Sequence, residues 1–363
     1  MARLEGTGKG SAVSVVDRLC AMLGIRYPVV QDGMGPFRTG RLAAAVSGAG
    51  GLGTVSIPGM TVDPAEGARL LRRQIEEATG LTDGPVAVNV PVGFASTGDV
   101  LPVTEAYIAE AIAVRSEGGK AGRQLVAVTT SAGFAGSYSA RLHEVGLVHM
   151  HKVGALRHAR KAADAGADVV IASGYEMGGH THEHPVHTMV LAAQVIPALQ
   201  IPVLVSGGIF DGRGLAAALA MGAAGVAMGT RFIATEENDW HEAYKQRIVA
   251  ATEWSDVVFP GVYGPARGLD SAGVRRLQAM VDAGETSESE LTRWKDEAMI
   301  RAQRDGDVDE GLLPAGQCAG AISGIVPVGR LVPEMVEQAR ALLAAAHDVL
   351  PDPRRTPAAD RAS

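Results

Sequence analysis

Short apolar segments recur between residues 25 and 232, and each is followed by Gly or Pro and then by an Ala-rich stretch with helical spacing. The eight segments lie around residues 29–30 and at 53–56, 86–90, 125–130, 147–153, 169–173, 203–206 and 226–229. They are apolar on both faces, as buried parallel strands are. Eight strands alternating with helices predict an α/β fold, a (β/α)8 TIM barrel, because an open doubly wound sheet normally stops at about five or six strands.

The pattern changes after Phe232. Residues 236–312 are charged and contain no strand-like run, which predicts a helical insertion after the eighth strand that packs over one end of the barrel as a lid. Residues 313–350 return to small apolar residues and a strongly amphipathic helix, which we expect to pack back on the barrel. The barrel itself takes residues 1–235, and the tail at 351–363 is predicted to be disordered.

The net charge and the number of cysteines limit the kinds of ligand and partner that we expect. The 363 residues carry 33 Lys and Arg against 40 Asp and Glu, a net charge of −7, and no long basic run. We therefore expect a small-molecule substrate, and neither nucleic acid nor a membrane surface as a partner. Two cysteines, Cys20 and Cys318, are too few for a disulfide framework or a cysteine zinc site. No signal-peptide core or membrane-length apolar run is present, so a cytoplasmic protein is expected.

The catalytic and binding residues of such barrels lie at the carboxyl ends of the strands. In this sequence those strand ends are rich in Gly and polar residues. These ends are residues 31–35, Asn89, residues 129–131, His151 and Lys152, residues 173–180, residues 206–208 and residues 228–231. By contrast, the GxGxxG run at 48–53 follows a helix and leads into a strand, which is the reverse of the dinucleotide-binding order. We interpret it as a tight turn.

Paired glycines follow the last two barrel strands, where barrels commonly bind phosphate through backbone N–H groups. Gly207 and Gly208 allow the main chain to approach an anion, while Gly229 and Thr230 offer further donors and Arg231 a charge. The alternative is that these glycines only end the strands. The pairing on adjacent strands favours a phosphate site.

His180 is the strongest catalytic candidate, because it follows two glycines just past a strand end and can accept a proton near neutral pH. A surface histidine is the alternative. His182, His184 and His187 follow closely, which leaves a weak metal site as a third reading, although no standard ligand spacing accompanies them and no metal is expected. Glu176 is expected to anchor the loop and not to act as the base.

Several of these motifs occur together in one known family. The run from Gly174 to His180, the stretch PVLVSGGIFDGRGLAAALAMGAAGVAMGTRF, the upstream PVVQDGM and GAGGLGTVS, and the later AGQCAG resemble the nitronate monooxygenase family, formerly called 2-nitropropane dioxygenases. The resemblance covers most of residues 22–235. It implies an FMN-binding barrel in which a histidine removes the proton of a carbon acid or lies near the flavin.

The resemblance places the catalytic histidine at His180 and a flavin contact at Asn89. Residues 33–35 are expected along the isoalloxazine ring, and Gln317 is expected to close the site. Lys152 is either a flavin contact or a surface lysine. The full set of expected FMN contacts is Gly33, Met34, Gly35, Asn89, Lys152, Ser173, Gly178, Gly179, Gly207, Gly208, Ala227, Met228, Gly229, Thr230 and Gln317.

The expected activity is oxidation of alkyl nitronates with O2. The alternative on the same barrel is an NAD(P)H-dependent reductase of an enoyl or acyl thioester, carried by ACP or CoA, or of a quinone. Ser173, Met177 and His182 depart from the family pattern on the substrate side, where Gln, Ala and Gly are usual. A flavin-free phosphate-binding barrel and a non-catalytic binding protein are further alternatives. The oligomeric state stays open.

Overall fold

Eight parallel strands form the central sheet of the computed structural model, which describes residues 13–346 except 96, 135 and 263. The barrel strands are β1 (Val29–Gln31), β2 (Gly53–Ser56), β3 (Val86–Val92), β4 (Leu125–Ala132), β5 (Val148–Val153), β6 (Val169–Ser173), β8 (Val203–Ser206) and β9 (Gly225–Met228). Four further strands lie outside the barrel sheet: β7 (Gly179–His180), β10 (Asp256–Pro260), β11 (Pro265–Leu269) and β12 (Leu313–Pro314). The predicted (β/α)8 barrel is confirmed.

The barrel closes between its first two strands. The sheet runs β1-β9-β8-β6-β5-β4-β3-β2, and the two ends of this row meet at Leu52. The Leu52 N–H donates to Val29 O over 3.0 Å, and the Gln31 N–H donates to Leu52 O over 2.9 Å. The buried Gln31 amide extends the seam, because its Nε2 donates to Thr54 O over 2.9 Å. All eight carboxyl ends therefore meet at one mouth.

Helices surround this sheet. They are α1 (Val15–Leu23), α2 (Gly40–Gly48), α3 (Pro64–Leu81), α4 (Pro102–Glu117), α5 (Gly119–Gln124), α6 (Tyr138–Glu144), α7 (Leu156–Asp164), α8 (Thr188–Val195), α9 (Gly212–Ala220), α10 (Thr230–Ile233), α11 (Glu242–Val249), α12 (Ala272–Ala283), α13 (Glu288–Ile300) and α14 (Val328–Ala346). The amphipathic helix predicted near the C-terminus is α14, which packs on α9 and α2. The predicted tail at 351–363 lies outside the described residues.

The barrel interior is filled with apolar side chains at the end opposite the mouth. Helix α1 begins at Ser14, whose hydroxyl accepts the Asp17 N–H, and ends at Gly24, whose φ of 67° requires glycine-like freedom. Its fully buried Leu19 and Leu23 belong to the same cluster as Met150 and Leu204 from the strands. Within the described residues, this apolar cluster fills one end of the barrel, and the carboxyl end stays open to a ligand.

The segment after β9 forms a small subdomain over the mouth. It contains helices α11, α12 and α13, but the expectation that residues 236–312 hold no strand is wrong. Strands β10 and β11 pair antiparallel, and β11 also pairs with β7 and β12. The hairpin alternates, with Val258 43% exposed and Phe259 5% exposed. Prolines and glycines interrupt the alternation of apolar and polar residues in its sequence, so the strands were not predicted.

A buried ion pair holds this hairpin together. Arg267 on β11 pairs with Asp256 on β10, and both side chains are almost fully buried. The Arg267 Nε–H also donates to Tyr175 O over 3.2 Å, which ties the hairpin to the loop after β6. The charge pair thus connects the insertion to the barrel.

Replacing Arg267 with Met should lower the free energy of unfolding by about 3–5 kcal/mol, because the Asp256 carboxylate stays buried without its partner. Urea unfolding measures the change. The control is Arg275→Met, which breaks an exposed pair with Asp270 and should cost less than about 1 kcal/mol. Equal losses in the two variants would contradict a structural role for the buried pair.

Candidate active site

A cavity of about 850 Å³ opens at the carboxyl ends of the barrel strands. Its floor comes from the ends of β1, β3, β5, β8 and β9, and its roof from the insertion, including Phe259 and Lys295. A volume of this size is within the range of cofactor and substrate sites. The strand ends singled out in the sequence therefore face one shared space.

Most of the sequence-predicted contacts line this cavity. They are Gly33, Met34, Gly35, Asn89, Lys152, Gly178, Gly179, His180, Gly207, Gly208, Ala227, Met228, Gly229 and Thr230. Two others do not line it. Ser173 is fully buried and its hydroxyl lies 3.2 Å from Met177 Sδ, while Gln317 is exposed and its N–H donates to Glu176 O over 3.0 Å. The neighbours of Gln317, Gly316 and Cys318, line the cavity instead.

Glycine is required at several points of the cavity wall. A Cβ at Gly33 would lie 2.2 Å from Asn89 Cγ, and one at Gly178 would lie 2.5 Å from the carbonyl carbon of Ala315. Gly207 and Gly208 adopt φ values of 96° and 75°, which L side chains rarely adopt. The wall is thus built from main chain that a ligand can approach closely.

A buried charge pair lies on the cavity floor. Lys152 Nζ is 2.6 Å from Asp32 Oδ2, and the Ser206 hydroxyl donates to the same oxygen over 3.0 Å. The Gly33 N–H donates to the other carboxylate oxygen, Oδ1, over 2.9 Å. Lys152 therefore points inward from β5, and the reading of it as a snorkelling surface residue does not fit. The pair fixes the turn at residues 32–35 against two neighbouring strands.

His180 is held by the insertion. It lies on β7, opposite Ala266 of β11, and its Nε2 is 2.7 Å from the carbonyl oxygen of Gly261. A carbonyl only accepts, so Nε2 carries the proton and Nδ1 keeps its lone pair. The residue is exposed to the cavity. The imidazole is thus fixed in the tautomer that offers Nδ1 as a base.

The surroundings of His180 disfavour its protonated form. Desolvation of the imidazole by the surrounding protein lowers the pKa of His180 to about 4, and the positive charge of Lys295, whose Nζ lies 3.5 Å from Nε2, adds to this effect. The hydrogen bond to Gly261 offsets this lowering of the pKa only in part. The imidazole is therefore neutral at pH 7. A neutral imidazole is the form that accepts a proton from a carbon acid.

Lys295 and Asp296 are cavity residues that sequence reasoning missed. Both lie on α13, and Asp296 Oδ2 accepts the Met60 N–H over 3.2 Å. Burial lowers the pKa of Lys295 and raises the pKa of Asp296. In the sequence the two belong to a charged helical run, which gives no sign that this face turns inward.

A row of buried polar side chains lies behind the cavity. The Thr130 hydroxyl is 2.7 Å from His149 Nε2 and 2.7 Å from His151 Nδ1, and His149 Nδ1 is 2.7 Å from the Ser139 hydroxyl. Burial lowers the pKa of both histidines to about 4. The two imidazoles are neutral at pH 7, and they lock β4 to β5 where His151 reaches the cavity.

The remaining histidines of the loop after β6 divide between two places. His182 and His184 line the cavity, whereas His187 Nδ1 lies 3.3 Å from Glu176 Oε1. Glu176 also accepts the Thr188 N–H over 2.9 Å, so it anchors the loop as expected. Within the described residues, no group of three or more His, Cys, Asp or Glu is arranged to hold a metal ion.

Arg231 does not serve the expected anion site. Its Nη2 donates to Ala234 O over 2.6 Å and to Gly324 O over 2.9 Å, and the side chain is buried away from the cavity. The expectation that it adds charge to a phosphate site is therefore wrong. It braces the chain after β9 against the C-terminal segment.

The fold is that of a (β/α)8 barrel enzyme, and a glycine-walled cavity lies at the carboxyl ends of its strands. The family model for nitronate monooxygenase matches residues 17–338, and the chain belongs to this family of oxidoreductases, for which a flavin is implied. No helix in the described part of the chain is long and apolar enough to cross a membrane.

The chain is also similar to three individual proteins. A Mycobacterium tuberculosis protein named (3aS,4S,5R,7aS)-5-hydroxy-7a-methyl-1-oxo-octahydro-1H-indene-4-carboxyl-CoA dehydrogenase is 34% identical over 88% of this chain and 94% of its own length. FabK from Thermotoga maritima superposes with a TM-score of 0.78 at 34% identity, covering 92% of this chain and 99% of that one. Nitroalkane oxidase from Streptomyces ansochromogenes gives 0.74 at 25% identity, with 90% and 99% covered.

Replacing Lys295 with Met should raise the pKa of His180, because the imidazolium no longer forms beside a positive charge. NMR titration of histidine-labelled protein measures this, with the His180 signal assigned by its loss in His180→Asn. Lys295→Arg keeps the charge and should leave the pKa low. Lys120→Met removes an exposed charge elsewhere and serves as the control. An unchanged pKa in Lys295→Met would show that Lys295 does not act on the base.

Proposed function

We propose that the protein is an FMN-dependent oxidoreductase that dehydrogenates an acyl-CoA thioester, with His180 as the base. The observation that carries the proposal is the position of His180, a neutral imidazole fixed by Gly261 and open to a glycine-walled cavity. A carbon next to a thioester carbonyl is a carbon acid, so its oxidation requires such a base.

The residues around the cavity fit FMN. Glycine at position 33 lets the Asn89 side chain lie against the main chain of the 33–35 turn, since a Cβ there would overlap it, and both residues line the cavity where a flavin ring would contact them. The main chain at Gly207, Gly208 and Gly229 suits a phosphate. Thr181 Oγ1 and His182 Nε2 are buried on the cavity wall without a hydrogen-bond partner among the described residues, as expected where a ligand supplies it.

The reaction follows from these positions. Nδ1 of His180 takes the proton from the carbon α to the thioester, and the hydrogen on the β carbon leaves as a hydride while the C=C bond forms. FMN, when bound, would supply the acceptor for that hydride, with a nicotinamide nucleotide or O2 as the terminal oxidant. Asp32 and Lys152 hold the turn at 32–35 that borders the reacting groups.

The substrate class is supported by the Mycobacterium tuberculosis relative, whose name describes the dehydrogenation of an alicyclic carboxyl-CoA and which matches almost its whole length to this chain. Oxidation of nitronates is the second candidate. It is favoured by the family model and by the nitroalkane oxidase neighbour. A neutral nitroalkane would use the same base, because its α carbon is also a carbon acid, whereas a preformed nitronate needs no proton removal.

Replacing Gly33 with Ala should abolish most FMN binding, because the new methyl group would lie 2.2 Å from Asn89 Cγ and must push the Asn89 side chain aside. The ratio of flavin to protein absorbance after purification and FMN loading measures the change. Gly80→Ala is the control, since a Cβ there meets nothing within 4 Å. Full flavin content in Gly33→Ala would contradict the placement of the ring beside Asn89.

Replacing His180 with Asn should slow removal of the α proton by about 10²–10⁴-fold, the usual contribution of a positioned base. Incorporation of deuterium at the α carbon of cyclohexanecarboxyl-CoA in D2O, followed by mass spectrometry, measures the proton step by itself. Exchange at the normal rate in this variant would exclude His180 as the base. The thioester proposal fails if the unaltered enzyme neither exchanges nor oxidises the compound but oxidises an alkyl nitronate.

A further inference from the structure

We infer that Arg157, His158 and Lys161 form a binding site for the phosphate groups of an adenine nucleotide, such as the nucleotide of CoA or of NADPH. We call these three residues the α7 rim. The inference rests on the proposed function and extends it from the reacting carbon to the carrier. The α7 rim lines the cavity but takes no part in the proposed reaction.

The α7 rim lies at the exposed edge of the cavity. All three side chains are exposed and line the same cavity as His180. Helix α7 follows directly on β5, which delivers Lys152 to the cavity floor. Positions 157, 158 and 161 share one side of the helix, and the Arg157 Nε–H donates to His158 Nε2 over 3.2 Å. A molecule that occupies the cavity therefore passes these groups on its way to solvent.

The guanidinium of Arg157 and the ammonium of Lys161 lack counter-ions among the described residues. Within the described residues no carboxylate forms a salt bridge with Arg157, His158 or Lys161, whereas other arginines such as Arg41 and Arg213 have acidic partners. Burial, and then the charges of Arg157 and Lys161, lower the pKa of His158, so the two cations of the rim are Arg157 and Lys161. Like charges held together at a cavity mouth attract a polyanion.

Groups that suit an adenine base lie beside the rim. Lys161 Nζ sits 4.7 Å from the ring centroid of Phe134, and Phe94, which is 37% exposed, lines the same part of the cavity. Aromatic faces next to cations favour a base attached to phosphates. Glu183 is the exposed carboxylate among the described cavity residues, and it opposes anion binding.

The residues that line the cavity fit a substrate with a reacting acyl group and a nucleotide. The base His180 and the α7 rim border one continuous space, so a thioester can place its acyl carbon at the first and its nucleotide at the second. A small nitronate would make no use of the rim. NADPH carries the same kind of phosphorylated nucleotide and would use the rim in the reductase alternative.

The test is calorimetric titration of the FMN-loaded protein with CoA, 3′-dephospho-CoA and NADPH. The double variant Arg157→Glu/Lys161→Glu should bind the nucleotide that uses the rim at least tenfold more weakly than the unaltered protein. Arg160→Glu is the matched control, because Arg160 lies on the same helix and is exposed but does not line the cavity. It should change affinity less than twofold. Glu183→Gln should tighten binding.

The outcomes separate the possible ligands. Weaker CoA binding with unchanged NADPH binding assigns the rim to the thioester carrier, and the reverse assigns it to the reducing nucleotide. The inference is overturned if neither nucleotide binds the unaltered protein, or if the double variant and Arg160→Glu lose affinity equally. Rim-dependent CoA binding without any acyl-CoA oxidation would refute the proposed function while leaving the binding site intact.

Discussion

The hydrogen bond between His180 Nε2 and the carbonyl oxygen of Gly261 connects the two parts of the molecule on which the site depends. His180 comes from the loop after β6 of the barrel, and Gly261 from the hairpin of the insertion. The short pairing of β7 with β11 places them in register. The insertion is therefore a part of the active site and not only a cover, because it sets the tautomer of the imidazole.

Buried charged groups lie on two sides of the cavity. Lys152 is neutralised by Asp32 on the barrel side, and Lys295 lies beside Asp296 on the insertion side. Lys295 is close enough to His180 to lower its pKa, and the hydrogen bond to Gly261 offsets this only in part. A neutral imidazole that faces the cavity suits the proposed removal of a proton from carbon, in which positive charge moves to the imidazole.

The barrel was accessible to sequence reasoning because its physical signal is local. Buried parallel strands read as short apolar runs, and 53–56, 169–173 and 203–206 match the observed strands residue for residue. Polar strand ends such as Asn89 and Gly208 follow from that frame. The hairpin of β10 and β11 was missed, since prolines and glycines interrupt its alternation. Lys295 was missed because only the tertiary fold turns its face of α13 inward.

The central claim is that this cavity oxidises an acyl-CoA through the base His180. The most direct measurement mixes the FMN-loaded protein with cyclohexanecarboxyl-CoA in the absence of oxygen and follows the visible flavin band. The account predicts that the band bleaches and that an α,β-unsaturated thioester forms in equal amount. A band that stays unchanged with the thioester, but bleaches with NADPH or with an alkyl nitronate, would contradict it.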